Sequence, residues 1–181
     1  MRPIVNSTYV TLDGVIQNPQ DWPSLGSFSA EGNQIQAELL ERCDAVLMGR
    51  RTYDGFAPVW TARSGDPASD RMNAIRKYVV STTLTDPQWH NTTVIDHDPI
   101  EAIRDLKQQP GGALVVFGGV QTVRSLVAAG LVDEFWLKVN PVAVGHGGPI
   151  FADLQQQRAL ELVSARSFPS GTVALIYTAA K

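Results

Sequence analysis

The sequence predicts an α/β fold: a mixed, mostly parallel sheet covered by helices on both faces and ending in a C-terminal antiparallel hairpin. Three observations carry this. Short apolar runs alternate with stretches of helical spacing from Ile4 to Gly130. Glycines stand between run and helix at Gly49 and at Gly118-Gly119, where a tight turn must redirect the chain. After Gly130 the strand-like runs follow one another with no helical pattern between them.

Taken in order, Ile4 to Leu12 is rich in β-branched residues and is broken by Asp13-Gly14, so it reads as a first strand. Val15 to Phe28, with Pro19, Trp22, Pro23 and Gly26, is an irregular segment longer than most connections. It suits a lid, or a loop capped by a packed Trp22. From Ser29 to about Arg42, Ile35, Leu39, Leu40 and Cys43 recur at helical spacing, with Glu38, Glu41 and Arg42 opposite. Asp44 to Met48 is a short buried strand, and Gly49-Arg50-Arg51-Thr52-Tyr53 starts the next helix.

Phe56 to Ser69 reads as a loop, with Ser69 as N-cap of a short helix over Asp70 to Ile75. Lys77 to Ser81 and Thr92 to Ile95 are strands. Asp98-Pro99-Ile100-Glu101 combines an Asp N-cap, a first-turn Pro and a Glu three residues on, and the helix it starts buries Ile100, Ile103 and Leu106 before stopping at Gln109. Ala113 to Phe117 is a buried strand. Val120, Val123, Leu126 and Val127 form a helical stripe with Gly130 as its C-terminal cap. Phe135, Leu137 and Val139 alternate with Glu134, Trp136 and Lys138, a strand whose second face suits either a subunit interface or helix packing. Pro141 to Pro149 is a glycine-rich loop, and Leu160 to Arg166 with Thr172 to Tyr177 forms the hairpin around Pro169-Ser170-Gly171.

Composition narrows the function classes. At 181 residues, 44% of them hydrophobic, the chain can bury one core, and one domain over residues 1–181 is expected. A formal charge of −3 leaves no global basic field for nucleic acid. The single Cys43 excludes an intrachain disulfide, and His90, His97 and His146 are too scattered for a zinc motif, so no metal is expected. With no apolar stretch of transmembrane length and no signal-peptide pattern, a cytoplasmic protein without membrane contact is the expectation.

Ligands of open α/β sheets bind beyond the carboxyl ends of the parallel strands. Three of those ends carry Gly49-Arg50-Arg51-Thr52, Ser81-Thr82-Thr83 and Gly118-Gly119. Amides after the glycines are anion donors at helix N-termini, and two such sites suit a pyrophosphate. Arg50 and Arg51 supply charge-assisted hydrogen bonds, while Ser81 and Thr82 offer hydroxyls to a further phosphate. Each group also suits a plain solvated helix start or strand end. Arginines where an acid would serve NAD favour NADP.

Met48-Gly49-Arg50-Arg51-Thr52-Tyr53, Val79-Val80-Ser81-Thr82, Phe117-Gly118-Gly119, Leu131-Val132-Asp133-Glu134 and Pro141 to Gly147 together resemble the dihydrofolate reductase superfamily. The stand-alone relatives of the reductase domain of bifunctional riboflavin-biosynthesis enzymes are the most similar. The resemblance covers nearly the whole chain. It implies a three-layer α/β/α dihydrofolate-reductase-like fold and an NADPH-dependent reductase, acting on a C=N or C=O of a small pterin- or pyrimidine-like heterocycle such as 5-amino-6-(5-phosphoribosylamino)uracil. It places Gly49, Arg50, Arg51, Thr52, Ser81 and Thr82 at the adenosine 2′-phosphate and diphosphate, and Phe117, Gly118, Gly119, Val120, Gln121, Thr122 and Val123 around the pyrophosphate. Thr8, Tyr9 and Ile16 would lie near the nicotinamide.

The chain departs from both parents. Asp13-Gly14 matches the strand-ending Leu-Asp-Gly of the riboflavin reductases, but Val15 stands where they carry a basic residue. Trp22 is followed by an acid only at Glu31, farther on than in dihydrofolate reductases. Asp13 and Glu31 are the candidate proton donors. Tyr53, Trp60 and Trp136 suit an aromatic substrate wall or the core, and His146 suits a turn. A homodimer is expected. The alternative reading is a non-catalytic dinucleotide- or flavin-binding module.

Overall fold

The computed structural model describes residues 1–23 and 30–180, without the side chains of residues 30 and 31. The strands are β1 (Ile4–Thr11), β2 (Cys43–Gly49), β3 (Arg76–Val80), β4 (Thr92–Ile95), β5 (Ala113–Phe117), β6 (Glu134–Asn140), β7 (Leu160–Ser167) and β8 (Val173–Ala179). The helices are α1 (Ala30–Arg42), α2 (Arg50–Thr61), α3 (Pro67–Ala74), α4 (Pro99–Gln108) and α5 (Val120–Ala128), and Pro19–Asp21 adds a single 3-10 turn.

All strands join one eight-stranded sheet in the order β4-β3-β2-β5-β1-β6-β8-β7. Only β8 runs against its neighbours, pairing antiparallel with both β6 and β7. The chain steps from β1 toward β4 through α1, α2 and α3, then returns through α4 and α5. Right-handed crossovers in opposite directions put those two sets of helices on opposite faces. Each face buries its own core. Ile35 and Leu39 of α1, Tyr53 of α2 and Met72 of α3 pack with Val5, Val46 and Val115, while Ile103 of α4 and Val123 and Leu126 of α5 pack with Ile4, Leu47 and Val116. This is the three-layer arrangement, and β5, buried at every residue, lies near its centre because its run of five apolar residues faces helices on both sides.

Local differences from the sequence expectation have physical causes. Helix α2 does not stop at Phe56 but continues to Thr61 with Pro58 inside it. Pro58 is exposed, and Phe56, Ala57 and Trp60 pack against the core, so burial outweighs the lost hydrogen bond. Helix α3 is capped by Asp66, whose carboxylate accepts from the Ser69 amide at 3.0 Å; Ser69 is the partner of the cap, because Pro67 opens the helix earlier. Asp98 precedes α4 in the left-handed region and makes no side-chain cap bond, leaving Pro99 as the start signal.

Candidate functional site

Strand β1 outruns β5. The last β1–β5 pair is Ser7 with Phe117, whereas β1 continues along β6 from Thr8 to Thr11. At that point β5 turns away through Gly118 and Gly119, both at positive φ, 47° and 71°. The chain leaves β1 for one face and β5 for the other, the reversal that opens a crevice in an open sheet.

Helices α2 and α5 begin beside each other, directly after the neighbouring strands β2 and β5. A Cβ on Gly49 would lie 2.4 Å from Thr122 Oγ1, and one on Gly119 would lie 3.1 Å from Thr52 Oγ1. Each helix thus lays a first-turn threonine over the other's glycine. Neither start has a side-chain cap bond among the described residues, so the first-turn amides lack a capping partner there, each helix end carrying about half a positive charge. In α5 these are Val120, Gln121 and Thr122. The Val123 amide bonds to the Gly119 carbonyl at 3.0 Å and its side chain is wholly buried. Phe117 is likewise a core residue, its ring 6.2 Å from that of Phe56.

The cationic flank is divided. Arg50 Nε donates to both carboxylate oxygens of Asp54, at 2.8 and 2.9 Å, and its Nη1 reaches Thr83 Oγ1 at 3.2 Å. Arg51 is exposed and has no ion pair among the described residues. Ser81 is buried and its Oγ accepts from the amides of Thr83 and Leu84, at 3.2 and 3.1 Å, so it shapes the turn after β3; Thr82 is exposed on that turn.

Near the projecting end of β1, Thr8 is buried with its hydroxyl donating to the Tyr9 carbonyl at 3.1 Å, and Tyr9 is half-buried, its phenol pushed up to about 12 by burial. Ile16 is buried and its amide donates to Gly148 at 3.1 Å. The glycine-rich loop closes here: a Cβ on Gly147 would meet Val15 Cγ1 at 2.9 Å, and one on Gly148 would meet Val120 Cγ1 at 2.5 Å. Trp22 is packed and buried, but the rest of the expected lid, residues 24–29, lies outside the described residues.

Asp13 clamps this loop. Its carboxylate accepts from Thr11 Oγ1 at 2.5 Å, from the Gly145 amide at 2.7 Å and from the Val144 amide at 3.2 Å. The Thr11 and Gly145 bonds hold it down to about 2. These three bonds tie the Asp13 carboxylate to the turn at Thr11 and to the glycine-rich loop. Glu31 stands in the first turn of α1, and its side chain lies outside the described residues.

Ser7, Gln36 and Lys138, which the sequence did not single out as a group, form a buried polar cluster between α1 and the sheet. Strand alternation hinted at Lys138 alone. The Glu134/Trp136/Lys138 face packs against α1, with Arg42 bidentate to Glu134 at 2.8 and 3.0 Å. Tyr53 and Trp136 are core residues, Trp60 packs against the same core, and His146 is exposed in the loop.

The model of the RibD C-terminal domain family matches residues 2–174 of this chain. The chain is 30% identical to the uncharacterized protein YyaP of Bacillus subtilis, over 97% of this chain and 94% of that one. A solved structure of a candidate riboflavin biosynthesis protein from Shewanella sp. PV-4 superposes with a TM-score of 0.76 at 23% identity, over 100% of both chains. A pyrimidine reductase-like protein from Corynebacterium diphtheriae superposes with a TM-score of 0.70 at 13% identity, over 99% of this chain and 92% of that one. At those identities the two solved structures share the fold.

Proposed function

This chain belongs to the RibD C-terminal domain family, and from that premise we propose that it is an NADPH-dependent reductase of a small pyrimidine- or pterin-like heterocycle. The observation that carries the reading is the crossed pair of glycine turns at the ends of β2 and β5, where Thr122 fills the place of a Gly49 Cβ and two helix starts without a side-chain cap bond lie side by side. A diphosphate needs that combination of close backbone approach and unpaired donors.

The amides of Val120, Gln121 and Thr122 would bind the pyrophosphate. Arg50, already oriented by Asp54, and the exposed Arg51 would flank the 2′-phosphate together with Thr82, while Ser81 holds the turn that presents them. The Thr8–Thr11 edge of β1 and Ile16 would orient the nicotinamide, and Val15, Ile16 and Trp22 would exclude water. When bound, NADPH supplies the hydride. Asp13 stays ionised and fixes the loop against Val120, and Glu31 is the acid we assign to proton delivery.

The test is NADPH oxidation by the full chain against a panel of pterins, pyrimidines and ketones, with Arg51→Ala beside the wild type. The reading expects turnover on a flat heterocycle, and a loss of about tenfold in preference for NADPH over NADH in the variant, the value of one charge-assisted contact. Tight NADPH binding without turnover on any of them would instead indicate a binding module.

A further inference from the structure

Three lysines are buried among the described residues, and the fold accounts for two of them. Lys77 donates to the carbonyls of Asn73 at 2.6 Å and His90 at 3.0 Å. Lys107 donates to the Leu131 carbonyl at 2.9 Å and pairs with the Asp133 carboxylate. Lys138 differs. It is 3% exposed on β6 and has one acceptor among the described residues, the Ser7 hydroxyl at 3.0 Å. Its Nζ lies over the Tyr9 ring, 4.6 Å from the centroid. An ammonium carries three donors, and burying it with one acceptor among the described residues is costly.

The neighbour of Lys138 repeats the imbalance. A serine hydroxyl that accepts from an ammonium has a single proton to give elsewhere, and Ser7 gives it to Gln36 Oε1 at 3.2 Å. That fixes the amide of Gln36 and turns its Nε2 away, where it is buried with no partner among the described residues. Among the described residues, the nearby carboxylates of α1 and β6 are already paired. Glu38 is paired with Arg166 and Glu134 with Arg42. Burial pushes the Lys138 ammonium down to about 8.

These donors lie beside the end of β1 assigned above to orient the nicotinamide. Lys138 pairs with Tyr9 across the β1–β6 ladder, in the stretch of β1 that outruns β5, and α1 covers the same sheet face. We propose that Lys138 and Gln36 form a donor pair that positions the substrate by an acceptor edge, selecting flat rings with carbonyl oxygens over rings that present only amines. The inference rests on the reductase reading above.

Calorimetry on the full chain in the presence of NADP⁺, with 5,6-diaminouracil and 4,5-diaminopyrimidine as probes, tests it. The wild type is expected to bind the dione at least about tenfold more tightly, the value of one charge-assisted hydrogen bond. Lys138→Met should erase that ratio and Gln36→Leu should narrow it, both with NADPH affinity unchanged. A wild type without the preference, or variants that keep it, overturns the donor pair while leaving the reductase reading in place. A wild type that fails to bind NADPH removes the reductase reading and this proposal with it.

Discussion

Thr122 Oγ1 occupies the space that a side chain on Gly49 would need, 2.4 Å from where its Cβ would be. The two residues begin different helices on opposite faces of the sheet, so this contact ties the start of α2 to the start of α5. Gly49→Ala is therefore expected to destabilise the fold by about 1–3 kcal/mol, as overpacking does. Thr122→Ala removes the clashing oxygen and leaves no space conflict, so the double variant should recover most of the loss. Denaturant melts of the four proteins measure this coupling, and additive effects would show that the contact is not shared.

Asp13→Ala should free the Pro141–Pro149 loop without unfolding the sheet. The observable is hydrogen exchange at the Val144 and Gly145 amides, which the carboxylate holds at 3.2 and 2.7 Å. The pH dependence has a definite sign. With its folded value lowered to about 2, Asp13 contributes fully above the ordinary carboxylate range near 4, and the contribution is lost as pH falls through about 2. Protection that is equal in the variant and the wild type would remove the clamp.

Lys138 gives a dependence of the same sign in an alkaline window. Its folded value is lowered to about 8, so between there and the unfolded value near 10.4 the unfolded chain binds more protons and stability rises with pH. Cys43 and Tyr9, both pushed up to about 12 by burial, pull the other way, but they do so in any variant that keeps them. The stability difference between wild type and Lys138→Met should therefore shift in favour of the wild type across that window, and a flat difference would contradict the assignment.

The layered sheet was legible in the sequence because its signals are local. The run from Ala113 to Phe117, the glycines after β2 and β5, and Pro99 before α4 each act within a few residues. Pro58 misled because its cost is local but its compensation, the packing of Phe56, Ala57 and Trp60, is tertiary. In the same way the glycine turns could be read as anion cradles, but not the threonine that crosses each of them. Alternation along β6 showed that Lys138 faces away from Leu137, and it could not show that α1 covers that face or that Gln36 waits there. Asp13 was read for its chemistry, whereas the distant amides of Val144 and Gly145 assign it to the loop.

The central claim is that the crossed glycine turns hold a pyrophosphate, and an NADPH titration of the wild type beside Gly118→Val tests it most directly. A Cβ on Gly118 meets no protein atom nearer than Thr52 Oγ1 at 3.8 Å, so the added bulk reports on the ligand more than on packing. The positive φ of 47° adds a strain of about 1–2 kcal/mol, which a parallel thermal melt separates from binding. Tight NADPH binding by the wild type and a loss of affinity of about tenfold or more in a folded Gly118→Val are expected, and equal affinity in the two proteins would remove the pyrophosphate site.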